Sequence, residues 1–208
     1  MANTRELQSR MKSIKDTMKI TSAMHMIASS NLQKAKKNLE ETEPYFYTLQ
    51  IMIAGILGHM QGGIEHQYFD ERPEIKEADR KKGYIVVTAD KGLAGGYNHN
   101  VIKLAQEFLD KPGHNELFVL GQLGRSYFEK KNVDVDTSFK YTVQKPTMHR
   151  ARVIAEKMLD LFNQKELDEV HIIYTRMENA VEMVAETKQL LPLQSGAFCE
   201  VPAGIAAG

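Results

Sequence analysis

The stretch Thr88–Asn98, TADKGLAGGYN, holds the residues best placed to do chemistry. Gly92, Gly95 and Gly96 lie just before a segment of helical spacing, and amides gathered at a helix start can cradle a phosphate. The spacing is neither GxGxxG nor the P-loop pattern, and no hydroxyl follows a lysine to hold magnesium. The pattern therefore predicts a structural turn, with glycines where the chain reverses tightly or passes close to another helix, and with Asn98 capping the helix that follows. A phosphate- or nucleotide-binding α/β protein using the 90–98 turn is the alternative.

Other candidates carry less. Asp134 and Asp136, like Glu40 and Glu41, are too close in sequence for an acid and base pair. Ser126 and Ser138 have no histidine at a telling position and no nucleophile-elbow context. His59 and His66 lack metal-ligand spacing and have no cysteine near them, so they read as solvated. The single cysteine, Cys199, rules out an internal disulfide and fits a reducing compartment. No catalytic, cofactor-binding or metal-ligating residue is assigned, and no cofactor is expected.

The turn needs a scaffold. Short apolar, β-branched runs recur at Tyr84–Thr88, Leu117–Leu120 and Val170–Tyr174, separated by helical spacing at Val101–Leu109, Leu123–Lys131 and Val153–Phe162. Strands alternating with helices predict an α/β domain over residues 84–193, a mainly parallel sheet flanked by helices in a Rossmann-like layout. The glycine turn follows its first strand, the place where open α/β folds put ligands. Val181–Lys188 suggests a last strand, the charged stretch 61–83 with Pro73 a linker, and the small, aperiodic residues 194–208 a flexible tail.

Residues 1–60 have a different period. Leu7, Met11, Ile14 and Met18, then Ile20, Met24, Ile27, Ala28, Ala35 and Leu39, fall on a helical face with no proline or glycine between them. Intervals of eleven predict a nearly straight rod. Continued past Pro44 to about residue 58 it would span roughly 80 Å. Arg5, Arg10, Lys12, Lys15, Lys19, Lys34, Lys36 and Lys37 flank the apolar stripe against only Glu6 and Asp16, so the rod asks for a partner helix on one side and acidic company elsewhere. The 208-residue chain has zero formal net charge, which argues against general attraction to nucleic acid. Its most apolar window, Leu49–Met60, is well short of the roughly 20 residues of a membrane span.

Two stretches together resemble a known family. Ile20–Lys37, ITSAMHMIASSNLQKAKK, is similar to the amino-terminal shaft helix of the F-type ATP synthase gamma subunit, and TADKGLAGGYN resembles that family's other signature. The resemblance covers residues 1 to about 193. It implies a long N-terminal helix that is half of an antiparallel coiled coil, joined to the α/β domain, and a central stalk that couples ion-driven rotation to ATP synthesis without chemistry of its own. The implied partners are the catalytic alpha/beta-type subunits, the small epsilon-type subunit and the membrane rotor ring, at the cytoplasmic face of the inner (plasma) membrane. Ile20, Met24 and Ile27, with Lys12, Lys15 and Lys19, would face the catalytic subunits along the rod. Lys91, Gly92, Gly95 and Gly96 would lie near the feet of those subunits. The family's returning helix is expected after Leu193 and is not in this sequence. The chain is therefore expected to be a fragment or truncated form, or a stand-alone interaction module whose helix folds back or pairs with a second copy.

Overall fold

In a computed structural model of the chain, residues 3–59, 65–133, 135–136, 138–179 and 182–198 are described. Asp134, Val181, Cys199 and the tail beyond residue 198 lie outside them. The chain divides into two compact units, residues 1–59 with 198–208, and residues 60–197.

The described residues of the first unit are dominated by α1, Thr4–His59, an α-helix 56 residues long with Pro44 inside it. At 1.5 Å per residue it extends about 84 Å. Proline removes an amide and ordinarily kinks or breaks a helix. Here the helical turns on either side persist, and four threonines along α1 satisfy their hydroxyls within the helix by donating to carbonyls one turn earlier: Thr17 to Ser13, Thr21 to Thr17, Thr42 to Asn38 and Thr48 to Pro44. The polar side chains thereby stay satisfied without interrupting the ladder. An exposed Arg10–Glu6 pair at 2.6 Å, one turn apart, adds a few tenths of a kcal/mol at most.

The second unit is built on a four-stranded sheet in the order β2-β1-β3-β4. Its elements are β1 (Lys81–Val87), α2 (Tyr97–Leu109), β2 (His114–Leu120), α3 (Gln122–Lys130), α4 (Met148–Asn163), β3 (Glu169–Met177) and β4 (Met183–Leu191). β1 runs parallel to β2 and β3, and β4 closes the edge antiparallel to β3. Alternation along the strands divides the core between the two faces. Tyr84, Val86, Leu117, Val119 and Ile173 pack with Val101, Ile102 and Ala105 of α2 and Phe128 of α3. Ile85, Phe118 and Val170 pack with Met158 and Phe162 of α4 and with Phe139 and Leu167.

β1 starts three residues before the apolar run that marks it in the sequence, because the charges ahead of that run find partners. Lys82 is buried and paired with Glu77. The Lys81 amide donates to Asp168 Oδ2 at 2.9 Å. Residues 65–80, which read as a linker, carry a buried arginine into the domain. Arg72 Nη1 donates to the Leu167 carbonyl and to Asp168 Oδ1, both at 2.8 Å, and Nη2 donates to the Phe162 carbonyl at 2.7 Å. Its guanidinium lies 4.2 Å from the centre of the Phe162 ring.

Beside it, Arg80 pairs with Glu169 Oε1 at 3.0 Å, and His171 Nε2 lies 2.8 Å from Glu169 Oε2. The His171 hydrogen bond, opposed by burial and helped by the charges of His171, Lys82 and Arg80, holds the Glu169 carboxyl below its ordinary value. A depressed folded-state value means that the stabilisation is present above the unfolded glutamate value of about 4.3 and is lost as the pH falls further. Glu169→Gln is expected to be less stable than wild type near neutrality and to lose less on acidification. Urea unfolding at neutral pH and again below pH 4 checks this. Parallel losses in the two proteins would remove Glu169 from the acid response.

Candidate functional site

The glycine turn lies between the end of β1 and α2, at the carboxyl edge of the sheet. That edge is already occupied by a side chain of the turn itself. Asp90 Oδ1 accepts the amide of Gln122, the first residue of α3, at 3.1 Å, and Oδ2 accepts the amides of Val143 and Gln144 at 3.0 and 3.2 Å. A carboxylate on converging amides at a helix start is chemically the arrangement by which such folds hold a phosphate. The anion here is internal.

Asn98 does not cap α2. The N-cap is Gly96, with no side-chain cap bond, and Asn98 lies inside the helix, where its Oδ1 accepts the Ala89 amide at 2.8 Å. It ties the two ends of the turn together instead. Of the three glycines, Gly95 has a positive φ of 56° and so a conformational need for glycine. A Cβ at Gly92 or Gly95 would meet nothing within 4 Å, and one at Gly96 would meet the Asn100 side chain at 3.6 Å. Lys91 and Leu93 are exposed on the turn, and Leu93, which the sequence did not single out, is 91% exposed.

Asp136 and Ser138, unconvincing as catalysts in the sequence, converge on Lys157, whose Nζ lies 2.5 Å from Asp136 Oδ2 and 2.6 Å from Ser138 Oγ. This is a structural ion pair with a hydroxyl attached.

On α1, Lys12, Lys15, Lys19, Ile20, Met24 and Ile27 are all exposed. Ile14 and Met18 line a shallow apolar groove with Thr17, Thr21, Ser22 and His25. Leu7, Met11, Ile14, Met18, Met24 and Ile27 are each close to half exposed or more, an uncovered stripe of large apolar side chains along the rod. Lys19 reaches Asp16 only at 3.9 Å, which leaves its charge largely available. Among the described residues no helix is long and apolar enough to cross a membrane.

A profile of the family described as ATP synthase matches residues 3–203. The ATP synthase gamma chain of Ruminiclostridium cellulolyticum is 47% identical over 199 residues, which cover 95% of this chain and 67% of that protein. The ATP synthase gamma chain of Acetivibrio thermocellus is 45% identical over 194 residues, covering 93% of this chain and 65% of that protein. The chain thus spans about two thirds of the length of these relatives. Its fold is similar to a chain in the central stalk of the mitochondrial ATP synthase of Tetrahymena thermophila, with a TM-score of 0.61 and 22% identity, over 83% of this chain and 72% of that one. With the family profile running almost end to end and relatives sharing nearly half of the aligned residues, this chain belongs to the ATP synthase gamma chain family.

Proposed function

We propose that the chain forms the rod and the α/β head of a rotary ATP synthase's central stalk, coupling ion-driven rotation to ATP synthesis without catalysing a reaction itself. The observation that carries this is α1: a single 56-residue helix with an uncovered apolar stripe and basic flanks, in a chain of the gamma family. A continuous hydrogen-bonded helix resists bending. An asymmetric rod touching the catalytic subunits in turn biases their conformations by differential contact, and so their nucleotide affinities.

Burial stabilises each large side chain of the stripe by about 1.5 to 3 kcal/mol, which favours an antiparallel partner helix along it. Lys12, Lys15 and Lys19 then face acidic segments of the catalytic subunits, with Ile20, Met24 and Ile27 beside them. The head, with Lys91 and the glycine turn near the feet of those subunits, lies toward the epsilon-type subunit and the rotor ring, peripheral to the membrane. Against the nucleotide-binding alternative stands the spacing of Gly92, Gly95 and Gly96, which fits neither phosphate-binding glycine pattern.

The test uses the assembled synthase carrying Met24→Lys in its gamma chain. Met24 is 47% exposed, so the substitution is expected to leave the melting temperature of the chain within about 2 °C while adding a charge that must be desolvated at the contact. Ions pumped per ATP hydrolysed are expected to fall several-fold. Unchanged pumping would remove Met24 from the coupling contact, and failure of the wild-type chain to co-purify with the catalytic subunits would overturn the stalk reading.

A further inference from the structure

We propose that the outer edge of β4 is a self-association surface, on which a second copy of this chain lays its own β4 antiparallel and joins the two sheets across a two-fold axis at Thr187. The inference concerns the chain by itself and does not depend on the stalk reading above.

The sheet order leaves β2 and β4 at the edges. β2 is partly covered, since Leu117 bridges Val135. β4 is nine residues long, and among the described residues its strand partner is β3 alone. An edge strand of that length presents a row of unpaired amides and carbonyls, which is a template for another strand. Its side chains are open as well: Met183 is 57% exposed, Val184 and Leu190 are 37% exposed, and Thr187 and Lys188 are exposed.

The strand's own sequence, MVAETKQLL, selects the occupant. A two-fold axis normal to the sheet at Thr187 sets Glu186 opposite Lys188 of the second copy and Lys188 opposite its Glu186, so two opposite-charge pairs form at once. Moving the axis by one residue sets Glu186 against Glu186 or Lys188 against Lys188. An axis between two residues is excluded, because side chains that face each other across a ladder must lie on one side of the sheet. A lone lysine guards an edge against pairing. The glutamate two residues away turns that guard into a register signal for an identical strand. Glu186 is held in place for it, since Oε1 accepts the Tyr174 hydroxyl and Oε2 accepts Arg176 Nε at 2.9 Å.

The regular ladder between β4 and β3 covers Met183 to Gln189 and ends at the irregularity opposite Val170 and His171. A shared ladder between copies therefore centres on Ala185 to Gln189, short enough for a weak, reversible dimer. The two-fold axis uses up the β4 edge of both chains, so the assembly closes at two instead of growing into a fibre.

Sedimentation equilibrium of the full chain over a range of concentrations tests this. Wild type is expected to pass reversibly from one chain to two. Glu186→Lys and Lys188→Glu each turn both attractive pairs into repulsive ones, and each is expected to raise the dissociation constant about tenfold or more. Mixed in equal amounts, the two variants set lysine against glutamate at both places and are expected to form a mixed dimer within a few-fold of wild-type affinity, a rescue that damage to the fold could not produce. A wild type that stays monomeric, self-association that both variants leave unchanged, or variants that do not recover on mixing would each overturn the edge dimer. The second of these results assigns the self-association to the apolar stripe of α1 instead.

Discussion

Arg72→Ala is expected to lower the stability of the α/β unit by about 3 to 5 kcal/mol, a large share of the 5 to 15 that holds a domain together. Asp168, its partner at 2.8 Å, is almost wholly buried and would lose its counter-ion. The carbonyls of Phe162 and Leu167 would lose donors at 2.7 and 2.8 Å, and the Phe162 ring its stacked cation. Arg72 Nε is buried with no hydrogen-bond partner, so the network is costly to build as well as to break. It follows that Arg72→Met combined with Asp168→Asn should recover much of the loss, since an apolar side chain and a neutral amide leave no charge stranded. Arg72→Lys should fall between, because one ammonium cannot span acceptors reached from both ends of a guanidinium. The chain has no tryptophan, so urea unfolding would be followed by tyrosine fluorescence. A loss below about 1 kcal/mol for Arg72→Ala would mean that the site relaxes to admit water and that the buried pair is not what holds residues 65–80 in place.

The sequence has no local signal for this arginine. Arg72 sits in a charged stretch beside Pro73, where composition indicates a surface loop, and its acceptors are 90 to 96 residues further on. Period and composition report on the few residues around a position, and so α1 and the buried runs of β1, β2 and β3 are legible from Leu7, Met11 and Ile14 or from Tyr84, Ile85 and Val86. Strand order, the antiparallel course of β4 and the start of β1 at Lys81 depend on pairing between distant segments. Lys82 looks like a solvated charge until Glu77 is seen beside it.

The site divides along the same line. The position of the glycine turn, after the first strand and before a helix, follows from local pattern, and so does the apolar stripe of α1 with its lysines. What the turn's residues do does not. Asn98 looks like a cap because asparagine usually caps, yet the Ala89 amide is the donor within its reach. Asp90 looks like one more turn residue, and its meaning appears only when Gln122, Val143 and Gln144 are brought to it. The left-handed backbone at Leu93, φ 64°, is an angle that no residue type announces. Glycine counting misleads for a related reason, since clustered glycines draw the eye while the most tightly enclosed of the described glycines stands apart.

That glycine is Gly121, and Gly121→Ala is expected to cost more than about 4 kcal/mol and to leave most of the chain insoluble. Its φ is 92°, and an added Cβ would lie 2.2 Å from the Thr88 carbonyl oxygen and 2.6 Å from its carbon. The obstacle is backbone, and it cannot rotate aside. The Thr88 amide is bonded to the Leu120 carbonyl at 2.9 Å and the Gly121 amide to the Tyr141 carbonyl at 3.1 Å, so the ends of β1 and β2 are clasped where the shift would have to occur. Gly124 supplies the contrast. A Cβ there would meet Thr88 Oγ1 at 2.6 Å, Thr88 Cγ2 at 2.7 Å and Val119 Cγ1 at 2.8 Å, all side-chain atoms. Thr88→Ala removes two of those three contacts and should partly rescue Gly124→Ala, at the expense of the hydroxyl that accepts the Gly124 amide at 3.0 Å. It should not rescue Gly121→Ala, because alanine keeps the carbonyl. Soluble yield and thermal unfolding of the two single and two double variants decide the matter. A Gly121→Ala chain that melts within about 2 °C of wild type would show that the clasp between the strand ends is loose, and with it the platform on which Asp90 and the glycine turn are held.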